Sequence, residues 1–599
     1  MKHLKHLSLS ELQTSFPTSG KYHNGPWKSQ EEILDFVAKH SSCIVQSPTG
    51  TGKTAVEYAI LKAAQNRGDR SLFLITPNKT IVEQISREFP DVKVALGRNE
   101  HLCLYYEQAY GADEVPCYLL EDCPHRVDQI SGQTRESGAD PCPYLQQRYE
   151  VKQGGIILCT MAFYLFTHLF TENFEEPDLL VIDEAHRIAE VVRSSLSYDI
   201  TDYHLRQSAE LLKSVGIEEY KQVRNFLAAM KRICKKRPPE EGVLLEDSEI
   251  RSLLGILSRI NVSALSKKIS SAIKSGEIDE VENMSSLKKL EVLVRDIQRY
   301  MSSFEFSLER ESRTPLNYTF AFYKKEIGVD QRIQYKLVVK CYYVVPLVRK
   351  ILSPFTVSLS ATIGDAETFG FESGLSGPFL SLGSNFPVDH TRIYMPTDTP
   401  NLAVKSREKR DVTRAIRTIA RVSKQFSDKG LRSLVVTISN REREKFLQLA
   451  REEGLNPLSY GNGFTAKEVA QRFKDGEGDV LVGTAANYSE GVDLPKQIAP
   501  IIFFLRPGYP NPQDPGTIFE ERKFGGRRWA LWNWRVMQQA LQVRGRNVRS
   551  RSDIGVTFFI SQQFRRFLFA SLPEWLEKAY QGQMTLEECV TDAKKLLNK

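Results

Sequence analysis

The stretch CIVQSPTGTGKTAVEYAILKAAQ, residues 43–65, constrains this chain more than any other. Cys43 to Gln46 read as a short buried strand. Ser47-Pro48-Thr49-Gly50-Thr51-Gly52-Lys53-Thr54 follow as a Gly-rich loop, and the residues after it have a helical pattern. Strand, Gly-rich loop and helix in that order are the context of a phosphate-binding P-loop. Gly50 and Gly52 let backbone N–H groups close around phosphate oxygens, and the helix N-terminus adds a favourable dipole. In this geometry Lys53 reaches the β- and γ-phosphates of ATP, and Thr54 ligates Mg²⁺. A domain built this way alternates strands and helices around a parallel sheet.

A second segment completes the site. PDLLVIDEAH, residues 177–186, is an apolar strand that ends in Asp183-Glu184-Ala185-His186. A carboxylate at the carboxyl end of a parallel strand holds Mg²⁺, here Asp183, and Glu184 is placed to polarise the attacking water as general base. His186 is a candidate for coupling the nucleotide site to motion. An acidic pair at a strand end is commonly a helix cap; the P-loop upstream shifts the reading to catalysis. These residues define a nucleotide hydrolase.

Further motifs follow in an order that resembles a superfamily 2 helicase. Trp27-Lys28-Ser29-Gln30 precedes the P-loop, where such enzymes place a Gln that reads adenine. Ser47 stands where the usual P-loop has its first Gly, a variation common among helicases. LFLITPNKT (72–80) places Thr76 and Pro77 at a strand end facing the nucleic-acid backbone, and VSLSATI (357–363) carries Ser360-Ala361-Thr362, which in the family links ATP state to DNA grip. LRSLVVTIS (431–439) begins a second sheet. DVLVGTAANYSEGVDLP (479–495) is similar to motif V, with Glu490, Gly491 and Asp493, and QVRGRNVR (542–549) is similar to motif VI, with Gln542, Gly545, Arg546 and Arg549. On a helix, residues three or four apart share a face, so Gln542, Arg546 and Arg549 are expected to point together across a cleft. The two arginines then neutralise charge developing at the γ-phosphate. Within the superfamily the chain resembles the XPD/DinG group through SEGVDLP, through RSRSDIGVTFFISQQF (549–564), through SLPEWL (571–576) and through the entry segment FPTSGKYHNGPWKSQEEIL (16–34).

Nine cysteines in 599 residues are an odd and sparse set, which disfavours a disulfide framework and suits a reducing compartment. Four of them, Cys103, Cys117, Cys123 and Cys142, form a C-x13-C-x5-C-x18-C pattern. By spacing alone an iron–sulfur cluster, zinc and unligated thiols are equally open. The resemblance implies a [4Fe–4S] cluster held by all four, because GRNEHLC (97–103) and DPCPYLQQRYE (140–150) look like the family's first and last ligand segments. Such a cluster would staple an irregular loop into a rigid wedge beside the DNA path. Cys43 and Cys159 sit in or beside core strands and read as small buried hydrophobes.

Between Glu184 and Ser360 lie more residues than a strand-to-strand return needs, so an inserted domain is expected. Its segments HLRQSAELLKSV, EEYKQVRNFLAAMKRICKKR and SLKKLEVLVRDIQRYMSSF read as helices; Val223, Phe226, Met230 and Ile233 form a core stripe, and Lys231, Arg232, Lys235, Lys236 and Arg237 a basic patch. Position and composition match the arch of XPD-like helicases. The expected organisation is therefore α/β: two RecA-like parallel-sheet motor domains, with a cluster insertion and a mainly helical arch in the first. Motor domain 1 takes residues 1–98, 151–190 and 346–375, the iron–sulfur domain 99–150, the arch 191–345 and motor domain 2 residues 376–599. Trp529, Trp532 and Trp534 share one helix, either packing it to the core or offering one ring to bases.

The expected activity is that of an ATP-dependent DNA helicase acting on single-stranded and forked duplex DNA, with polarity 5′→3′ implied by the resemblance and RNA–DNA hybrids left open as substrate. The expected role lies in repair or replication. A net charge of +7 is only a weak pointer to nucleic acid. The absence of a long apolar run and of an apolar leader leads to the expectation of a cytoplasmic monomer with no membrane contact. Two rival readings are an ATP-switched nucleic-acid-binding scaffold and a nuclease that uses ATP; no acidic or histidine constellation with metal spacing outside the helicase motifs favours the latter.

Overall fold

A computed structural model describes residues 6–117, 119, 122–169, 176–236, 243–279, 284–308, 318–327, 332–403, 408–461, 463–488, 494, 498–548, 551–565, 568 and 572–597. The first strands are β1 (Cys43–Gln46), β2 (Ser71–Thr76), β3 (Lys93–Ala95), β4 (Gly155–Thr160) and β5 (Leu179–Ile182). An insertion then supplies β6 (Tyr198–Thr201), β7 (Val243–Leu244), β8 (Tyr318–Ile327) and β9 (Arg332–Cys341), after which β10 (Thr356–Ser360) and β11 (Phe379–Ser381) return to the first sheet. The second half adds β12 (Thr391–Tyr394), β13 (Ser433–Thr437), β14 (Pro457–Leu458), β15 (Val480–Thr484), β16 (Ile501–Phe504) and β17 (Gly555–Phe559).

The first sheet runs β11-β1-β10-β5-β2-β4-β3 and the second β12-β17-β16-β13-β15-β14. Both are parallel throughout. Their central strands are apolar on both faces, as in Leu179–Ile182 and Ile501–Phe504, because helices cover each side. This is the pair of RecA-like motor domains expected from the motifs. The C-terminal ends of β1, β5 and β10 lie together, since β10 pairs with both neighbours in parallel register. Ligands of such sheets bind at that edge. β11 pairs with β1, so the first sheet continues to Ser381, past residue 375.

Among its described residues the insertion carries five helices of eleven residues or more: Asp202–Ser214, Tyr220–Lys235, Asp247–Leu257, Val262–Lys274 and Met284–Leu308. They share a core of their own, with Leu205, Phe226, Leu253, Leu290 and Tyr300 fully buried. Val223, Phe226 and Met230 are buried in it as their spacing predicts, while Ile233 is half-buried and Cys234 takes the inner position. The insertion is mainly helical, as expected, but also holds strands. An antiparallel sheet, β6-β9-β8-β7, packs against the helices. One of its long strands, RIQYKLVVKC, has the β-branched and aromatic residues that suit a pleated surface.

The halves meet through helix Arg528–Arg544. Trp534 Nε1 and Gln538 Nε2 both donate to the Ile363 carbonyl, at 2.7 and 2.9 Å. Trp532 Nε1 donates to Glu520 at 2.7 Å, and both rings are buried, while Trp529 stands about half exposed. Among the described residues no helix is long and apolar enough to cross a membrane.

Candidate nucleotide site and cysteine cavity

The P-loop is braced from inside. Ser47 N donates to the Ser360 carbonyl at 2.9 Å, the Ser47 and Thr51 hydroxyls meet at 2.6 Å, and Thr51 donates to the Pro48 carbonyl at 2.8 Å. Gly50 and Gly52 take left-handed φ values of +81° and +72°. Helix Lys53–Arg67 begins with no side-chain cap, so its first N–H groups stay available for an anion. Lys53 Nζ donates to the Ser47 carbonyl at 3.3 Å and lies 4.0 Å from Glu184 Oε1. Thr54 is half-buried at the same helix start.

β5 delivers the acidic pair. Asp183 is buried and its Oδ1 accepts from Glu184 N at 2.8 Å. Burial and the Glu184 carboxylate work against its charge, while Lys53 and hydrogen bonds from Glu184 N and the Glu57 carboxyl favour it; the balance raises its carboxyl to about 7. Glu184 sits at φ +46°, a left-handed position for a non-Gly residue. Strain of this kind is kept where the surrounding structure enforces it, typically at functional sites.

A polar relay leaves this point. Ser360 Oγ donates to Glu184 Oε2 at 3.3 Å, and His186 Nδ1 lies 2.7 Å from Ser360 Oγ and 3.4 Å from Glu184 Oε2. His186 Nε2 faces the Gln542 side-chain amide from the other motor domain. With Nε2 accepting from that amide, Nδ1 carries the proton and donates toward Ser360. The chain Gln542–His186–Ser360–Glu184 thus connects both motor domains to the candidate general base.

Several motif residues differ from their expected disposition. Gln30 is buried, donates to the Gly52 carbonyl at 3.1 Å and accepts from Trp27 N at 2.8 Å, so its amide supports the P-loop. Thr76 is fully buried and donates to the Asn78 carbonyl at 3.1 Å; Asn78, Lys79 and Thr80 are the exposed residues beside it. Helix Arg528–Arg544 ends before Gly545, a poor helix former, so Arg546 lies beyond it and Gln542 and Arg546 share no helix face. Arg546 is buried, and Arg549, Glu490, Gly491 and Asp493 lie outside the described residues.

Arg544 does face the P-loop: with Pro48, Thr49, Phe386 and Trp575 it lines a recess of about 20 Å³. Phe386 also lines a cleft of about 880 Å³ between the motor domains, bordered by Gln46, Asp365, Asn533 and Lys578. The larger space is an interdomain cleft and the smaller touches the phosphate loop through Pro48 and Thr49; Lys53, Asp183 and Glu184 line neither.

Cys103, Cys117, Cys123 and Cys142 converge on one cavity of about 210 Å³. Among the described residues, the helical turns of the loop carrying them before helix Pro143–Lys152 are the short 3₁₀ turns Arg98–Glu100 and Leu104–Tyr106. Cys103 N donates to the Tyr110 carbonyl and Cys142 N to the His125 carbonyl, at 2.9 and 2.8 Å. Glu107 and Gln108, beside Cys103, are left-handed non-Gly residues. Burial raises the Cys117 and Cys123 thiols; the other thiols add to this at Cys123, while Arg98 and Arg126 oppose it at Cys117. Cations near converging thiols favour the thiolates that metal binding needs. Among the described residues no three His, Cys, Asp or Glu side chains close into a tight metal cage. The four donors are thus gathered around a space rather than a point. The loop is tied to the inserted domain: Ser270 Oγ donates to the Leu119 carbonyl at 3.1 Å, Lys288 Nζ to the Val115 carbonyl at 3.3 Å, and Lys274 pairs with Asp122 at 3.0 Å.

Residues 422–579 match the family of helicase C-terminal domains, and residues 24–213 match that of the res subunit of type III restriction enzymes. Among solved structures, an XPD helicase superposes with a TM-score of 0.61 at 15% identity, over 95% of this chain and 98% of that one. An apo XPD gives 0.59 at 13%, over 94% and 100%, and Xpd4 of S. tokodaii gives 0.57 at 13%, over 94% and 99%. The chain has the XPD helicase fold. The resemblance read from the motifs therefore holds for the two parallel-sheet domains and for the C-terminal helicase domain.

Within this XPD-like chain, Lys53, Asp183, Glu184, His186, Ser360 and Gln542 are brought together. Motif reading missed Glu57, Arg544 and Phe386. Glu57 had one available signal, an acidic residue in the helical turn after Thr54. Phe386 had none, since its place over Gly50 arises only from tertiary packing.

Proposed function

We propose that this XPD-like chain is an ATP-dependent DNA helicase that translocates 5′→3′ on single-stranded DNA and separates forked duplexes, in repair or replication. The Gln542–His186–Ser360–Glu184 relay carries this reading, because it joins the candidate base of one motor domain to the motif VI helix of the other. ATP would lie between the motor domains. The P-loop N–H groups and Lys53 would bind its phosphates, and Glu184 would take the proton of the attacking water. Thr54 and Asp183 would hold Mg²⁺, which when bound neutralises charge on the β- and γ-phosphates. Arg546 and Arg549 would serve as the arginine fingers, with Asp493 and Gln542 on the same side of the nucleotide and Gln30 near the adenine. Loss of the γ-phosphate would release the relay and let the motor domains part.

Cys103, Cys117, Cys123 and Cys142 fit a [4Fe–4S] cluster in donor type, in their shared cavity and in their cationic neighbours. When bound, such a cluster braces the loop with four metal–sulfur bonds. The braced loop, anchored on the inserted domain, would form the wedge against which strands part. Strand displacement on 5′-tailed and 3′-tailed duplexes tests this function. Unwinding from 5′ tails is expected. Unwinding confined to 3′ tails would refute the polarity, and ATP turnover without any unwinding would favour the scaffold reading.

A further inference from the structure

Among the described residues, Glu57 is a buried acid of the nucleotide site that no motif accounts for. It lies three residues beyond Thr54 and four beyond Lys53 in helix Lys53–Arg67, and so shares their face. Its neighbours on the helix, Ala55, Val56, Ala59 and Ile60, are fully buried and apolar. Glu57 is equally buried, at 0% exposure, yet neither carboxylate oxygen has a hydrogen-bond donor. Asp183, Lys53 and Glu184 are the charged groups it faces. The Glu57 and Asp183 carboxyls meet within hydrogen-bonding reach, and no third residue donates to Glu57.

We infer that Glu57 is a positioning residue for the divalent cation of the nucleotide, accepting hydrogen bonds from the cation's water shell. The inference rests on the nucleotide-site reading proposed above. An apolar residue would fill this position without cost, whereas a buried carboxylate lacking a donor is expensive. Three acidic side chains here face a single ammonium, and one divalent cation would favour their ionised forms. Mg²⁺ keeps several of its waters when bound, and those waters need acceptors. A carboxylate just outside the ligand sphere supplies them and orients the ligands. Thr54 and Asp183 would be the direct ligands, and Glu57 would fix the waters on the side facing the sheet.

Mn²⁺ binding in the presence of ADP, followed by electron paramagnetic resonance, tests the inference on the full chain. Thermal unfolding of the nucleotide-free protein is measured alongside. Glu57→Gln and Glu57→Leu are expected to weaken Mn²⁺ binding about 10- to 100-fold while unfolding at the same or a higher temperature than the parent. Unchanged Mn²⁺ affinity in both variants would overturn the inference, as would failure of both to fold stably, which would make Glu57 a structural residue. A parent protein that takes up no Mn²⁺ with ADP would instead overturn the nucleotide-site reading itself.

Discussion

Gly50 has no room for a side chain, because a Cβ there would fall 2.0 Å from Phe386 Cζ, and its φ of +81° disfavours any other residue. Gly50→Ala should therefore distort the phosphate loop, with backbone strain on the order of 1–3 kcal/mol added to the collision. A fluorescent ATP analogue should bind at least tenfold more weakly; unchanged binding would show that Phe386 moves aside freely. Glu184→Gln separates binding from chemistry. It should retain nucleotide and slow hydrolysis by roughly 10²- to 10⁴-fold, and near-normal turnover in a single-turnover assay would remove Glu184 as the base. Lys53, Asp183 and Glu184 were legible in the chain because phosphate chemistry dictates both residue type and spacing. Gln30 was legible as a site residue, but its bonds to Gly52 and Trp27 belong to a folded neighbourhood that spacing does not reveal. The same holds for Phe386 and Arg544, whose positions depend on how two distant segments meet.

The cysteine loop is an element whose stability comes from outside its own backbone pattern. Among its described residues the buried apolar anchors are Ala112, Val115, Leu119 and Val127, and Leu119 belongs to the core of the inserted domain. Protein purified without oxygen should contain iron and acid-labile sulfide, with visible absorbance. Cys103→Ser and Cys142→Ser should lose the iron and expose the loop to limited proteolysis. A colourless protein carrying one zinc would contradict the cluster and leave the four thiols as a zinc site. The thiols were legible as a set through the flanking segments GRNEHLC and DPCPYLQQRYE, since the spacing alone left iron–sulfur, zinc and unligated thiols equally open. The antiparallel strands of the insertion were less so: helical stripes flanking β8 and β9 dominate the local pattern, and the pairing of Tyr318–Ile327 with Arg332–Cys341 is fixed only in the folded sheet.

Across the whole molecule the motor domains are joined by charge as well as by the relay. Glu372 binds Arg193 at 2.8 Å and Arg535 at 2.9 Å, and Arg535 also reaches Glu520 at 2.8 Å. Burial opposes the charge on Glu372, but Arg535 and Arg193 overcome it and hold its carboxyl at about 2 instead of 4.5. A carboxyl depressed in the folded protein contributes stability above its unfolded value, here on the order of 3 kcal/mol. That contribution should disappear as pH falls from about 4.5 toward 2. Glu372→Gln should flatten this part of the acid-unfolding curve and lower stability at neutral pH; a curve identical to the parent's would show that the network is immaterial. The parallel sheets and their order of motifs were legible at this scale. The joint between them was not, since Glu372 and Arg535 carry no motif. The central claim is that the two motor domains form a nucleic-acid-driven ATPase. Steady-state ATP hydrolysis with and without single-stranded DNA, for the parent chain and Lys53→Ala, tests it most directly. Strong stimulation by single-stranded DNA, abolished by Lys53→Ala with DNA binding retained, is the predicted result; turnover indifferent to DNA, or surviving Lys53→Ala, would contradict it.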